Sequence, residues 1–133
     1  QHSGRSFNAW AALSFEGTCL RHINKIKEGL QIGAVHTNQS GWFGGDSDQR
    51  AQIDLLIDRA DHCINVCEIK FSHSKFTITK QVAENLRRKA DLFQEQTGSN
   101  KTLFKTLIST YGCKRNAYYH ALVDNELTMD TFF

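Results

Sequence analysis

Three residues have types and spacing that suggest shared chemistry: Asp54, Glu68 and Lys70, all within the stretch Gln52–Lys70. The runs Ile53–Ile57 and Ile64–Ile69 are rich in β-branched residues, and Arg59-Ala60-Asp61-His62 between them is a turn signal, so the stretch reads as a β-hairpin. With the turn centred near Asp61, antiparallel pairing sets Asp54 opposite Glu68, with Cα atoms roughly 4.5 to 5.5 Å apart. Strand side chains alternate, so Glu68 and Lys70 share a face while Ile69 points to the other. Two facing carboxylates repel and raise each other's pKa unless a cation lies between them, and hard oxygen donors suit Mg²⁺ or Mn²⁺. Beside such an ion, Lys70 would orient or deprotonate a water, or hold a phosphate oxygen. The plain alternative is a cross-strand Glu–Lys pair on a solvated sheet face, a contact of about a few tenths of a kcal/mol.

The spacing of Asp54, thirteen intervening residues and Glu68-Ile69-Lys70 resembles the signature of the PD-(D/E)XK nuclease superfamily, with Ile53 where an often-degenerate proline stands. Further stretches, Ser14–Ile23, Gln52–Arg59, Cys67–Ser72 and Ala83–Arg87, resemble the nuclease-like domain at the C-terminal end of a family of prokaryotic AAA-type ATPases. The resemblance implies a restriction-endonuclease-like core and metal-dependent cleavage of DNA phosphodiester bonds. It also implies an ATPase domain elsewhere in the full-length chain.

The elements that must position these residues read as follows. A helix is expected from Phe7 or Asn8 to about Leu30, with Leu13, Glu16, Leu20, Ile23 and Leu30 as its apolar stripe. A carboxylate on such a stripe is costly without a partner. If the helix lies on the sheet, Glu16 would be a further metal ligand or would accept a hydrogen bond from a metal-bound water, a role the resemblance also implies. His22 is left out of the site. A first strand is expected within residues 33–43, where Trp42 would pack under a loop or stack on a base, packing being the preferred reading. The loop Gly44-Gly45-Asp46-Ser47-Asp48 lacks EF-hand spacing and reads as solvated.

After Lys70, Thr77 or Thr79 offers an N-cap for a helix reaching about Thr97 and stopped by Gly98, with Val82, Leu86, Ala90 and Phe93 buried. Lys80, Arg87 and Arg88 on its other side form a basic region for phosphate contacts, diluted by Glu84, Asp91 and Glu95. Gln81 is a weaker candidate for reaching the site. Lys101–Tyr111 is expected as a strand reached by crossover, and Tyr118–Val123 as an edge strand. The end, Thr128–Phe133, would pack two phenylalanines on the core.

At 133 residues the chain is read as a single domain, 1–133, with no phosphate-binding loop of its own. It begins Gln1-His2-Ser3-Gly4, which suggests a fragment of a longer protein. A net charge of +2 is too small to bind nucleic acid without local patches. Cys19, Cys63, Cys67 and Cys113 have neither zinc-site spacing nor the density of a disulfide scaffold, and read as reduced thiols. Cys63 and Cys67 fall on the strand face opposite Glu68 and Lys70 and are assigned to packing. No apolar run is long enough to span a bilayer, so a cytoplasmic protein is expected.

The expectation is an α/β domain, restriction-endonuclease-like, with a mixed sheet flanked by helices in the order αβββαββ. Asp54 and Glu68, with Glu16 and the Ile69 carbonyl, would hold the metal, and Lys70 would serve the attacking water. The alternative is a non-catalytic module that binds nucleic acid or a protein partner and regulates an attached ATPase. A homodimer is a further expectation.

Overall fold

Within residues 3–133, which the computed structural model describes, the chain runs α1 (Ser3–Arg21), α2 (Ile23–Gly29), β1 (Thr37–Gly44), β2 (Ala51–Arg59), β3 (Cys63–Lys70), α3 (Lys80–Thr97), β4 (Thr102–Ser109), α4 (Ala117–Leu122), β5 (Asn125–Thr128) and a closing 3₁₀ turn (Met129–Phe132). Gln1 and His2, at the start that suggested a fragment, lie outside the described residues.

The β-branched runs around Asp61 form the expected hairpin. β2 and β3 pair antiparallel from Arg59↔Cys63 to Leu55↔Cys67, a register centred on Asp61. The loop is three residues, and His62 closes it in the left-handed region at φ 69°, a standard way to match a short loop to strand twist. β1 adds to β2 antiparallel, while β4 and β5 add beyond β3 in parallel, giving a five-stranded mixed sheet in the order β1-β2-β3-β4-β5. The parallel step from β3 to β4 needs a crossover, which α3 supplies.

Helices flank the sheet. On one side Phe15 and Cys19 of α1 and Ile26 of α2 pack with Leu55, Ile57, Cys67 and Ile108. On the other, Phe93 of α3 packs with Ile53, Leu56, Ile64 and Val66, and Ala83 and Leu86 with Leu107 and Leu122. Thr79 caps α3 by accepting the Val82 N–H at 3.2 Å, and Gly98 ends it at φ 66°. Its buried residues are Ala83, Leu86, Ala90 and Phe93; Val82, expected with them, is only half-buried.

Three expectations fail for identifiable reasons. The first helix breaks at His22, whose backbone (φ −122°, ψ 49°) leaves the helical region, so α2 starts afresh. Its expected stripe is also rotated: Leu13 and Leu20 are 69% and 42% exposed, while Phe15 and Cys19 are buried. α1 is apolar on both sides, so 3.6-residue periodicity alone does not choose the face that packs. Second, Tyr118–Val123 is mostly α4, because Asn116 accepts the Tyr119 N–H at 2.9 Å and caps a helix; the edge strand comes later, as β5. Third, Phe132 packs on the core but Phe133 is 91% exposed. No described helix is long and apolar enough to cross a membrane.

Candidate active site

A β-bulge shapes the site. β1 and β2 pair Ser40↔Leu56 and then Trp42↔Ile53, so Asp54 and Leu55 together face the single residue Gly41. The extra residue reverses the alternation: Ile53 packs toward α3 although Leu55 and Ile57 pack toward α1. A bulge of this kind re-aims a side chain and loosens local pairing. Asp54 lies at this point, one step beyond Leu55↔Cys67 in the β2–β3 ladder. Its Oδ2 accepts the backbone N–H of Ile69 at 3.0 Å. The carboxylate is thereby fastened to the peptide between Glu68 and Lys70.

Burial pushes the Asp54 carboxyl above its ordinary range; the Ile69 N–H pulls it down, Glu68 pushes it up again, and Lys89 and Lys70 pull it down, with the net direction upward. Glu68 is 4% exposed. Its two oxygens lie 3.2 and 3.1 Å from Nζ of Lys89, on α3, and Oε2 lies 3.3 Å from Nζ of Lys70. A buried carboxylate needs such partners, because an unpaired charge removed from water is heavily penalised.

Glu16, half-buried on α1, lines a cleft of about 370 Å³ together with Asp54, Gly41 and Leu20. Burial raises its carboxyl, and the charge of Asp54 raises it further. Glu16, expected to point at the Asp54/Glu68 pair, stands at the edge of the packed face and shares this cleft with Asp54. A larger hollow of about 730 Å³, lined by Gly45, Asp46 and Arg50, shares Phe43 and Gln52 with this cleft but contains none of the site carboxylates.

The other candidates lie elsewhere. Lys80, Gln81, Arg87 and Arg88 are exposed on α3. Arg88 donates to the Arg50 carbonyl at 3.0 Å and to Asn85 at 2.9 Å, and Arg87 and Arg88 share a shallow hollow with Glu84, Asp91 and Glu95. Among the described residues none of these four makes a hydrogen bond or ion pair with Asp54 or Glu68. Trp42 packs edge-on against Phe93 at 5.4 Å, the packing role expected for it. Asp46 accepts the N–H groups of Asp48 and Gln49, as a loop-closing residue does. Cys67 is buried toward α1, while Cys63 is half-buried at the strand start.

Lys89 was not among the sequence candidates. The signal was present: it stands three residues after Leu86 and four before Phe93, on the inward side of α3, so a charge there requires a buried partner just as Glu16 does.

The donor set suits a hard divalent ion in part. Among the described residues no three His, Cys, Asp or Glu side chains form a ready-made cage. Mg²⁺, however, is commonly held by one or two carboxylates while it keeps several waters. Asp54, in the cleft with Glu16 of α1, and Glu68, held by Lys89 of α3, are the two strand carboxylates, and only one oxygen of Asp54 accepts a protein hydrogen bond among the described residues. An ion here would keep waters in its shell, and on Glu68 it would compete with Lys89. Comparison with known proteins finds no matching family model and no matching curated protein.

Proposed function

We propose that this domain is a Mg²⁺- or Mn²⁺-dependent nuclease acting on DNA phosphodiester bonds, on a restriction-endonuclease-like core. The observation that carries the reading is the hydrogen bond from Ile69 N–H to Asp54, which ties the Asp54 carboxylate to the strand bearing Glu68 and Lys70. Asp54, Glu68 and the Ile69 carbonyl would hold the metal, with Glu16 beside Asp54 as a further acid. When bound, a divalent ion supplies Lewis acidity at the phosphate and a bound water of lowered pKa.

The chain's own groups do the rest. Lys70, partly exposed beside Glu68, orients the attacking water or holds a phosphate oxygen with its compact charge. Glu16 accepts a hydrogen bond from a water in the cleft. The adjoining hollows along Phe43, Gln52 and Arg50 offer a path for a nucleic-acid strand, and Lys80 and Arg87 give α3 phosphate contacts. The association with an ATPase domain in the same full-length chain rests on the sequence resemblance.

The test is cleavage of plasmid and single-stranded DNA with Mg²⁺ or Mn²⁺, against an Asp54→Asn control. Metal-dependent cutting that the control lacks supports the proposal. Equal products from both proteins, or none from either while DNA still binds, removes it. That last outcome favours a second reading, a nucleic-acid-binding or regulatory module without catalysis, for which the specific observation is the closure of Glu68 by Lys89.

A further inference from the structure

We infer that Lys89 is a resident cation standing in the metal's place on Glu68, displaced when a divalent ion binds, so that it sets the metal affinity of the site. The inference rests on the nuclease reading above and adds to it a residue on a different element. Nζ of Lys89 is nearly equidistant from both Glu68 oxygens, at 3.2 and 3.1 Å, the side from which an ion would grip the carboxylate. An ion bound at about 2.0 to 2.6 Å cannot share that side with an ammonium group.

The surroundings make the choice exclusive. The Lys89 and Glu68 side chains are only 12% and 5% exposed, so neither ion is well solvated where it stands. Lys70 and Lys89 offset the formal charges of Asp54 and Glu68, leaving Glu16 as the remaining acid, so most of the site's negative charge is balanced without a metal. A divalent ion added with Lys89 in place would meet an ammonium group across a short, poorly screened distance. With Lys89 swung away, the same ion meets a net negative pair. Lys89 has the means to move, because its charge sits on a flexible four-carbon stem anchored in α3. It acts through Glu68 and is a positioning residue.

Calorimetric titration with Mn²⁺ of the wild type, Lys89→Met and Lys89→Arg tests this. Lys89→Met keeps the apolar stem and removes the charge, and is expected to bind Mn²⁺ about tenfold tighter or more. Lys89→Arg keeps the charge and stays near wild-type affinity. Should Lys89→Met not fold, as judged by circular dichroism, Lys89→Gln gives a neutral donor at the same position and the same expected tightening. If wild type binds Mn²⁺ and the folded neutral variant binds it equally or more weakly, the role of Lys89 is overturned while the nuclease reading stands. If neither binds, the metal reading itself falls, and the inference with it.

Discussion

The carboxylate of Asp54 takes a backbone N–H from Ile69, 3.0 Å away on the neighbouring strand, at the bulge where Asp54 and Leu55 face Gly41. A side chain thus supplies a hydrogen-bond acceptor at the end of the β2–β3 ladder, and a charged group that water would prefer is held partly out of water. On the proposed nuclease reading, stability and chemistry pull in opposite directions at this residue.

Substitutions at Asp54 should separate the two. Asp54→Asn keeps an acceptor for Ile69 and removes a charge that burial and Glu68 disfavour, so its thermal midpoint at neutral pH, without metal, is expected above that of wild type. Asp54→Ala leaves the Ile69 N–H without its partner and is expected to cost about 1–3 kcal/mol in urea unfolding. Both should lose metal-dependent cleavage by on the order of 100-fold or more.

Two carboxylate groups give opposite pH signatures. Asp54 and Glu16 have folded pKa values above their unfolded ones. In the window between those values the folded state binds more protons, so stability falls as pH rises through it and stays lower above it. Glu126 behaves in reverse. Burial opposes its ionisation, but hydrogen bonds from Arg115 and the Cys113 N–H outweigh it and hold the carboxyl below its usual range. Its contribution is present above the unfolded pKa and lost as pH falls through the folded one. Urea midpoints measured from about pH 3 to pH 8 should therefore show Asp54→Asn gaining on wild type as pH rises, and Glu126→Gln losing on it.

Changes at either terminus of α3 should loosen that end of the helix and leave the Lys89–Glu68 contact at its middle in place. Thr79→Ala removes the acceptor for the Val82 N–H and is expected to destabilise by about 1 kcal/mol. Gly98→Ala places a side chain at φ 66° and is expected to cost a similar amount, roughly 1 kcal/mol. Hydrogen exchange should show faster opening at the corresponding end of α3 in each variant, with the β2–β3 amides little changed.

If α3 meets the phosphate backbone, removing Lys80 and Arg87 together should weaken DNA binding without regard to sequence. The dependence of log affinity on log salt should become shallower by about one for each phosphate that the double variant leaves unneutralised. Arg88 is a poorer probe because its guanidinium already bonds to Arg50 and Asn85. An unchanged salt slope in the double variant would remove α3 from the binding surface.

Addition of Mg²⁺ should raise the thermal midpoint of wild type, since an ion that binds only the folded state stabilises it by mass action. Asp54→Asn should show little of this rise. A midpoint that ignores Mg²⁺ and Mn²⁺ in both proteins argues for the binding module.

The sequence by itself determined the hairpin and its register, because β-branched runs flank a short polar loop and side-chain period two permits one pairing centre that buries them. It also determined α3, from a cap at Thr77 or Thr79 to the stop at Gly98, and so the α/β class, while the structure selected Thr79. It did not determine which side of α1 packs, since that helix carries large apolar residues on more than one side and only the sheet beneath it selects Phe15 and Cys19. The Asn116 cap of α4 is local, three residues from the N–H it takes, and was legible in the sequence; the bulge at Asp54 and the arrival of Lys89 at Glu68 were decided by tertiary structure. Each depends on a group remote in sequence, or on strand pairing that local periodicity does not encode, and a buried charge finds its partner only when two elements are brought together.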